Sequence, residues 1–139
     1  MHGFERATKD IDVVSDPDPD NLCRLYAALA ALGAEPIELA DVRPDELPYR
    51  LSPEGLAKGG NWFLATRPGR IDAKQFIEGA LESPDDYAGL MERALPLETP
   101  VGSIRVVSYD DLLRMKYAAG RDVDLIDIRA LREARGEFE

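Results

Sequence analysis

The chain has 139 residues, 45% of them apolar and 32% charged, with a formal net charge of −10. Its length suits one domain with its own core, and no apolar run approaches the roughly 18 residues of a membrane-spanning helix. The acidic balance opposes nonspecific binding to a large polyanion, and a single cysteine, Cys23, excludes an internal disulfide framework.

The charged N-terminus has no apolar core of a signal peptide, so the expected location is cytoplasmic. His2 is the only histidine. Catalysis, if there is any, falls to carboxylates, basic side chains or a metal.

Residues 6–14 read R-A-T-K-D-I-D-V-V. The β-branched stretch predicts a strand in which Asp10 and Asp12 project from one face while Ile11 and Val13 point to the opposite, buried face. Two carboxylates on one small patch repel each other unless a cation lies between them, and oxygen ligands suit Mg²⁺ or Mn²⁺. The alternative is an exposed strand edge with two solvated aspartates. Aspartate is disfavoured in strands, and such local conflicts fall preferentially at functional sites.

S-D-P-D-P-D follows and predicts a helix from Pro19 or Asp20 to about Leu32, stopped by Gly33. Leu22, Leu25, Tyr26, Leu29 and Leu32 recur at helical spacing and form its inner face, with Cys23 expected to be buried beside them. Residues 35–60 carry four prolines and read as a long connection, with Ile37, Leu39 and Val42 as a short strand. N-W-F-L-A-T and G-R-I-D-A-K-Q-F, joined by R-P-G, predict a hairpin in which Arg70, Asp72 and Lys74 share one face and Ile71 and Ala73 the other. Asp72 is then either a third carboxylate beside the first strand or part of a charged solvent face. Arg67, Arg70 and Lys74, and separately Lys116 and Arg121, are local basic clusters able to hold a small phosphate.

A helix is expected from Pro84 to Ala94, then a second hairpin, L-P-L-E-T and S-I-R-V-V-S, turning at Pro100, Val101 and Gly102. Ser108 is a strong N-cap with Asp111 three residues on, and Gly120 ends that helix. Arg121 and Asp122 open a last helix whose apolar positions are Leu125, Ile128, Ala130 and Leu131, with a fraying tail after Arg132.

R-A-T-K-D-I-D-V-V, R-I-D-A-K and S-Y-D-D-L-L-R-M-K-Y-A-A-G-R-D-V-D-L-I-D-I-R-A-L occur in that order. Together they resemble the minimal nucleotidyltransferases of the DNA polymerase beta superfamily, and most nearly those related to abortive-infection toxins. The resemblance runs from Gly3 to about Leu131, and its most specific part is the M-K-x-x-A-G-R block with D-x-x-D-I behind it.

It implies an α/β (α+β) fold, a mixed sheet flanked by helices like a polymerase beta palm, in a single domain over residues 1–139. It also implies transfer of a nucleoside monophosphate from a nucleoside triphosphate to a hydroxyl of RNA, protein or a small molecule. Asp10, Asp12 and Asp72 match the family's metal ligands, with Mg²⁺ or Mn²⁺ as cofactor, and Asp72 matches the position that activates the acceptor hydroxyl.

Lys116 and Arg121 match basic positions that contact the nucleotide or its phosphates, the alternative being surface salt bridges with Asp110, Asp111, Asp122 or Asp124. Asp124 and Asp127 are expected to orient Arg121 and Lys116. Arg6, Thr8 and Lys9 either contact substrate phosphate or cap the sheet. An antitoxin protein and a second copy of the chain are the implied partners, and a membrane is not one.

The chain departs from the family in two places. The helix whose Gly-Gly or Gly-Ser start cradles the triphosphate is missing, which implies an N-terminally truncated domain with apolar surface left to cover. Val123 stands where relatives carry a lysine. These departures frame the alternative function, a catalytically inactive binding module of the same fold acting through a protein partner.

Overall fold

A computed structural model describes residues 10–37 and 43–137. They fall into two compact units, 10–76 and 77–137. The fold is mixed α and β, with a mixed sheet and helices. Among the described residues no helix is long and apolar enough to cross a membrane.

The first unit is built on a four-stranded sheet in the order β1-β4-β3-β2, comprising β1 (Asp10–Val14), β2 (Glu35–Pro36), β3 (Trp62–Ala65) and β4 (Arg70–Lys74). β1 lies parallel to β4, and the other pairs are antiparallel. The β3–β4 hairpin forms as its alternation predicts. Its turn closes with Thr66 N–H donating to Gly69 O at 3.0 Å and Gly69 N–H to Thr66 O at 3.3 Å.

Helix α1 (Pro19–Ala31) starts where the sequence predicts. The Asp18 carboxylate accepts from the Asp20 and Asn21 amides, and Pro19 gives up no hydrogen bond at the first helical position. At the other end Gly33 takes φ +69°, and the Arg67 guanidinium donates to Ala31 O. Arg67 thus covers carbonyls at the helix C-terminus, where a cation is favoured, and is drawn away from the basic cluster expected with Arg70 and Lys74.

Leu22 and Leu29 of α1 meet Trp62 and Leu64 of β3, Ala73 of β4 and Leu56 in one core, with Val13, Leu25, Tyr26 and Ile71 packed around it. Two expectations fail here. Cys23 is exposed, because one step round the helix from Leu22 leads off the inner stripe. Ile11 is 63% exposed although it shares a face with half-buried Val13, since among the described residues strand β1 has a neighbour on one side only.

The proline-rich segment also contains a short helix, α2 (Pro53–Ala57), that its composition masked. Ser52 Oγ caps it by accepting from Gly55 N–H at 3.0 Å. Gly55 is required there, since a Cβ would fall 2.0 Å from the Arg50 carbonyl oxygen. Of the strand expected around Ile37, Leu39 and Val42, the last two residues lie outside the described residues, and β2 ends at Pro36.

In the second unit a tight turn from Ile77 to Leu81 leads to α3 (Asp86–Arg93). This helix starts two residues later than expected, because the Asp86 carboxylate folds back to accept from the Glu82 and Ser83 amides. The hairpin of β5 (Leu95–Thr99) and β6 (Gly102–Val106) forms a separate two-stranded sheet.

Helix α4 (Tyr109–Ala119) is capped by Ser108 and ends at Gly120 with φ +61°, and α5 (Asp122–Ala134) follows. The inner stripe of α5 is Asp124, Asp127, Ile128 and Leu131, while Leu125 is 49% exposed, against expectation. The tail is more ordered than expected. Glu137 accepts from Tyr109 Oη at 3.0 Å and from Arg132 Nε at 2.9 Å.

Candidate metal centre

The parallel register of β1 and β4 sets Asp12 beside Asp72 and Asp10 beside Arg70. In-register neighbours project to the same face, so all three carboxylates emerge together on the face away from the leucine core. One oxygen from each lies within 4.8 Å of the others.

Their surroundings differ. Asp12 is exposed, Asp10 is half-buried and Asp72 is 5% exposed. A charged hairpin face open to solvent, the alternative for Asp72, does not describe a side chain so enclosed.

Asp72 Oδ1 is buried and accepts no hydrogen bond among the described residues; Arg70 Nη2 is 3.9 Å away, beyond hydrogen-bonding reach. A buried anionic oxygen without a donor is costly. Burial pushes the Asp72 carboxyl above its ordinary value, Asp10 and Asp12 push it further, and Arg70 and Lys74 oppose them. Lys74 Nζ stands 3.9 Å from Asp12 Oδ2. Three carboxylates and two cations therefore share one sheet face.

The donor set fits a hard divalent cation. All three candidate ligands are carboxylates, and one of them, Asp72, carries a buried oxygen with no hydrogen-bond donor among the described residues.

Lys116 and Arg121 form their own cluster in the second unit. Lys116 Nζ lies 2.7 Å from Asp127 Oδ2 and 3.6 Å from Asp124 Oδ1. Arg121 grips Asp124 through Nε at 2.6 Å and Nη2 at 3.1 Å. Asp124 and Asp127 thus pair with the two cations, the arrangement the resemblance implies, and the salt-bridge alternative also holds, with Asp124 rather than Asp110, Asp111 or Asp122 as the partner. The Arg121 hydrogen bond is the main cause holding the Asp124 carboxyl below the usual range, against the opposing effect of burial. Arg6, Thr8 and Lys9 lie outside the described residues.

One buried charge network escaped the sequence reading. Asp111 is wholly buried and accepts from Arg93 Nε at 2.8 Å, Arg114 Nη2 at 2.5 Å and Ser108 Oγ at 2.9 Å. The capping spacing from Ser108 was its only local signal; Arg93, on another helix, had none. No family model, curated protein or solved structure matches the chain.

Proposed function

We propose that this protein is a metal-dependent nucleotidyltransferase of the polymerase beta type, transferring a nucleoside monophosphate from a nucleoside triphosphate to a hydroxyl acceptor. The observation that carries this reading is the convergence of Asp10, Asp12 and the buried Asp72, whose Oδ1 has no donor among the described residues. The order of the three sequence blocks supports the same assignment.

Asp10, Asp12 and Asp72 would hold Mg²⁺ or Mn²⁺, which supplies positive charge for the triphosphate and for the departing pyrophosphate. The acceptor oxygen bonds to the α-phosphorus as the bond to the β-phosphate oxygen breaks, and pyrophosphate leaves. Asp72 is the group assigned to take the hydroxyl proton, as the third carboxylate beside the metal. Arg70 and Lys74 flank the acids and offset phosphate charge. No histidine is required.

Calorimetry with each nucleoside triphosphate, with and without Mg²⁺, tests the assignment. Metal-dependent binding that disappears in Asp12→Ala is expected. Binding unaffected by that substitution, or no binding of any triphosphate, overturns it. Metal-dependent binding without transfer to any acceptor would give the inactive binding module.

A further inference from the structure

Two kinds of ion pair occur among the described residues. In the second unit Lys116, Arg121 and Arg93 close on Asp127, Asp124 and Asp111 at 2.7, 2.6 and 2.8 Å. On the acidic face the approach stops short: Lys74 Nζ stands 3.9 Å from Asp12 Oδ2, and Arg70 Nη2 stands 3.9 Å from Asp72 Oδ1. Both distances exceed a hydrogen bond, so the charges sit beside the acids while their N–H donors are not spent on them.

We propose that Lys74 couples the two ligands of this site: its ammonium competes with a divalent ion for Asp12 and, by passing to the triphosphate, makes binding of the ion and of the triphosphate depend on each other. The inference rests on the nucleotidyltransferase reading and adds to it the side chain that links metal and donor.

The strand register places the residue. Arg70, Asp72 and Lys74 alternate onto the face that carries Asp10 and Asp12, and Lys74 is the in-register neighbour of Val14, two residues beyond Asp12. From there it reaches across to β1. The side chain of Asp12 is 57% exposed and that of Asp72 is 8% exposed, so a ligand arriving from solvent meets Asp12, and with it Lys74, before Asp72.

The two cations differ in freedom. Arg70 lies beside the enclosed Asp72, and its own Nε is buried without a partner among the described residues. Its guanidinium is a rigid plane held in place. Lys74 is a point charge with three donors on a flexible stem, and a small swing carries it from a carboxylate to a phosphate oxygen.

The sign of the coupling follows from charge. An ion bound by Asp12 lies about 2.1 Å from its oxygen, which sets two positive charges on one carboxylate, so Lys74 weakens binding of the ion alone. Phosphate oxygens accept charge-assisted hydrogen bonds from the ammonium, and Asp12 is then left to the ion. By linkage the triphosphate raises the affinity for the ion by the same factor as the ion raises the affinity for the triphosphate.

The test is titration of the full chain with Mn²⁺ alone, followed by loss of the free-ion EPR signal. Lys74→Met keeps the apolar stem and removes the charge, and it should bind Mn²⁺ about 5- to 100-fold more tightly than the native chain. Lys74→Arg, which keeps the charge, and Lys58→Met, which removes the lysine beside Tyr49, should bind as the native chain does. With Mn²⁺ saturating, a nonhydrolysable nucleoside triphosphate should bind Lys74→Met about 5- to 100-fold more weakly.

A second measurement uses the native side chain. The chain has four lysines, so their ε-carbons resolve in ¹³C NMR, and the Lys74 resonance is the one lost in Lys74→Arg. It should shift on addition of Mg²⁺ while that of Lys58 stays in place.

Equal Mn²⁺ affinity in the native chain and Lys74→Met, a tightening shared by Lys58→Met, undiminished triphosphate binding in Lys74→Met, or a Lys74 resonance indifferent to Mg²⁺ overturns the role of Lys74 and leaves the transferase reading standing. Mn²⁺ binding that Asp12→Ala does not weaken, or no Mn²⁺ binding in any form, overturns that reading and this inference with it.

Discussion

Asp12 and Asp72 stand side by side on the parallel strands β1 and β4, their carboxylates on one face with Asp10 close by. Directly opposed like charges weaken a strand pair by about 0.2–1 kcal/mol. Asp12→Asn should therefore raise the metal-free melting temperature slightly while removing metal-dependent nucleotide binding. Mg²⁺ should raise the melting temperature of the native chain but not of this variant. Differential scanning fluorimetry measures both, and a destabilised Asp12→Asn would contradict the repulsion argument.

Lys116 is the ammonium closest to Asp127 Oδ2, at 2.7 Å, on a carboxylate whose side chain is 2% exposed. Truncating one partner of a buried ion pair leaves the other charge stranded at a cost of about 3 kcal/mol or more. Lys116→Ala should lose that much in urea denaturation, and Lys116→Ala with Asp127→Asn should recover part of it. A double-variant loss equal to the sum of the Lys116→Ala and Asp127→Asn losses would mean that the pair is uncoupled.

Asp124 is held below its ordinary value first by Arg121, and Asp111 is held low by Arg93 and Ser108, whose hydrogen bonds together with nearby arginine charge outweigh the effect of burial. A depressed carboxyl contributes stability that is complete above its unfolded-state value, near pH 4, and is lost as pH falls through the folded-state value. Acid unfolding should therefore set in below about pH 4. Melting temperature against pH should fall less steeply in that window for Asp124→Asn, from a lower plateau at neutral pH.

Leu64 is completely buried and Leu125 is 49% exposed. Leu64→Ala should cost about 2–5 kcal/mol, whereas Leu125→Ala should change stability by about 0.5 kcal/mol at most. Denaturant titration of Leu125→Ala, with Leu64→Ala as the buried reference, tests which face of α5 is the inner one, because the apolar pattern places Leu125 there.

The elements that local chemistry specifies were legible in the sequence. Asp18 with Pro19, Ser108 with Asp111, and Gly33 and Gly120 mark helix ends because caps act within a few residues. Alternation and the R-P-G turn likewise set the β3–β4 hairpin, and the D-x-D strand with Asp72 supplied the acidic candidates.

What depends on distant partners was decided only by the tertiary structure. The parallel register brings Asp12 to Asp72 across 60 positions of chain, and no local pattern encodes such a pairing. The inner face of α5 carries Asp124 and Asp127, against hydrophobic periodicity, because Lys116 and Arg121 supply their counter-charges. Burial of Asp72, exposure of Cys23 and Ile11, and a cavity drawn from residues 36–63 arise from packing among segments far apart in sequence. Residue chemistry determined which groups were available, and the three-dimensional packing determined which of them meet.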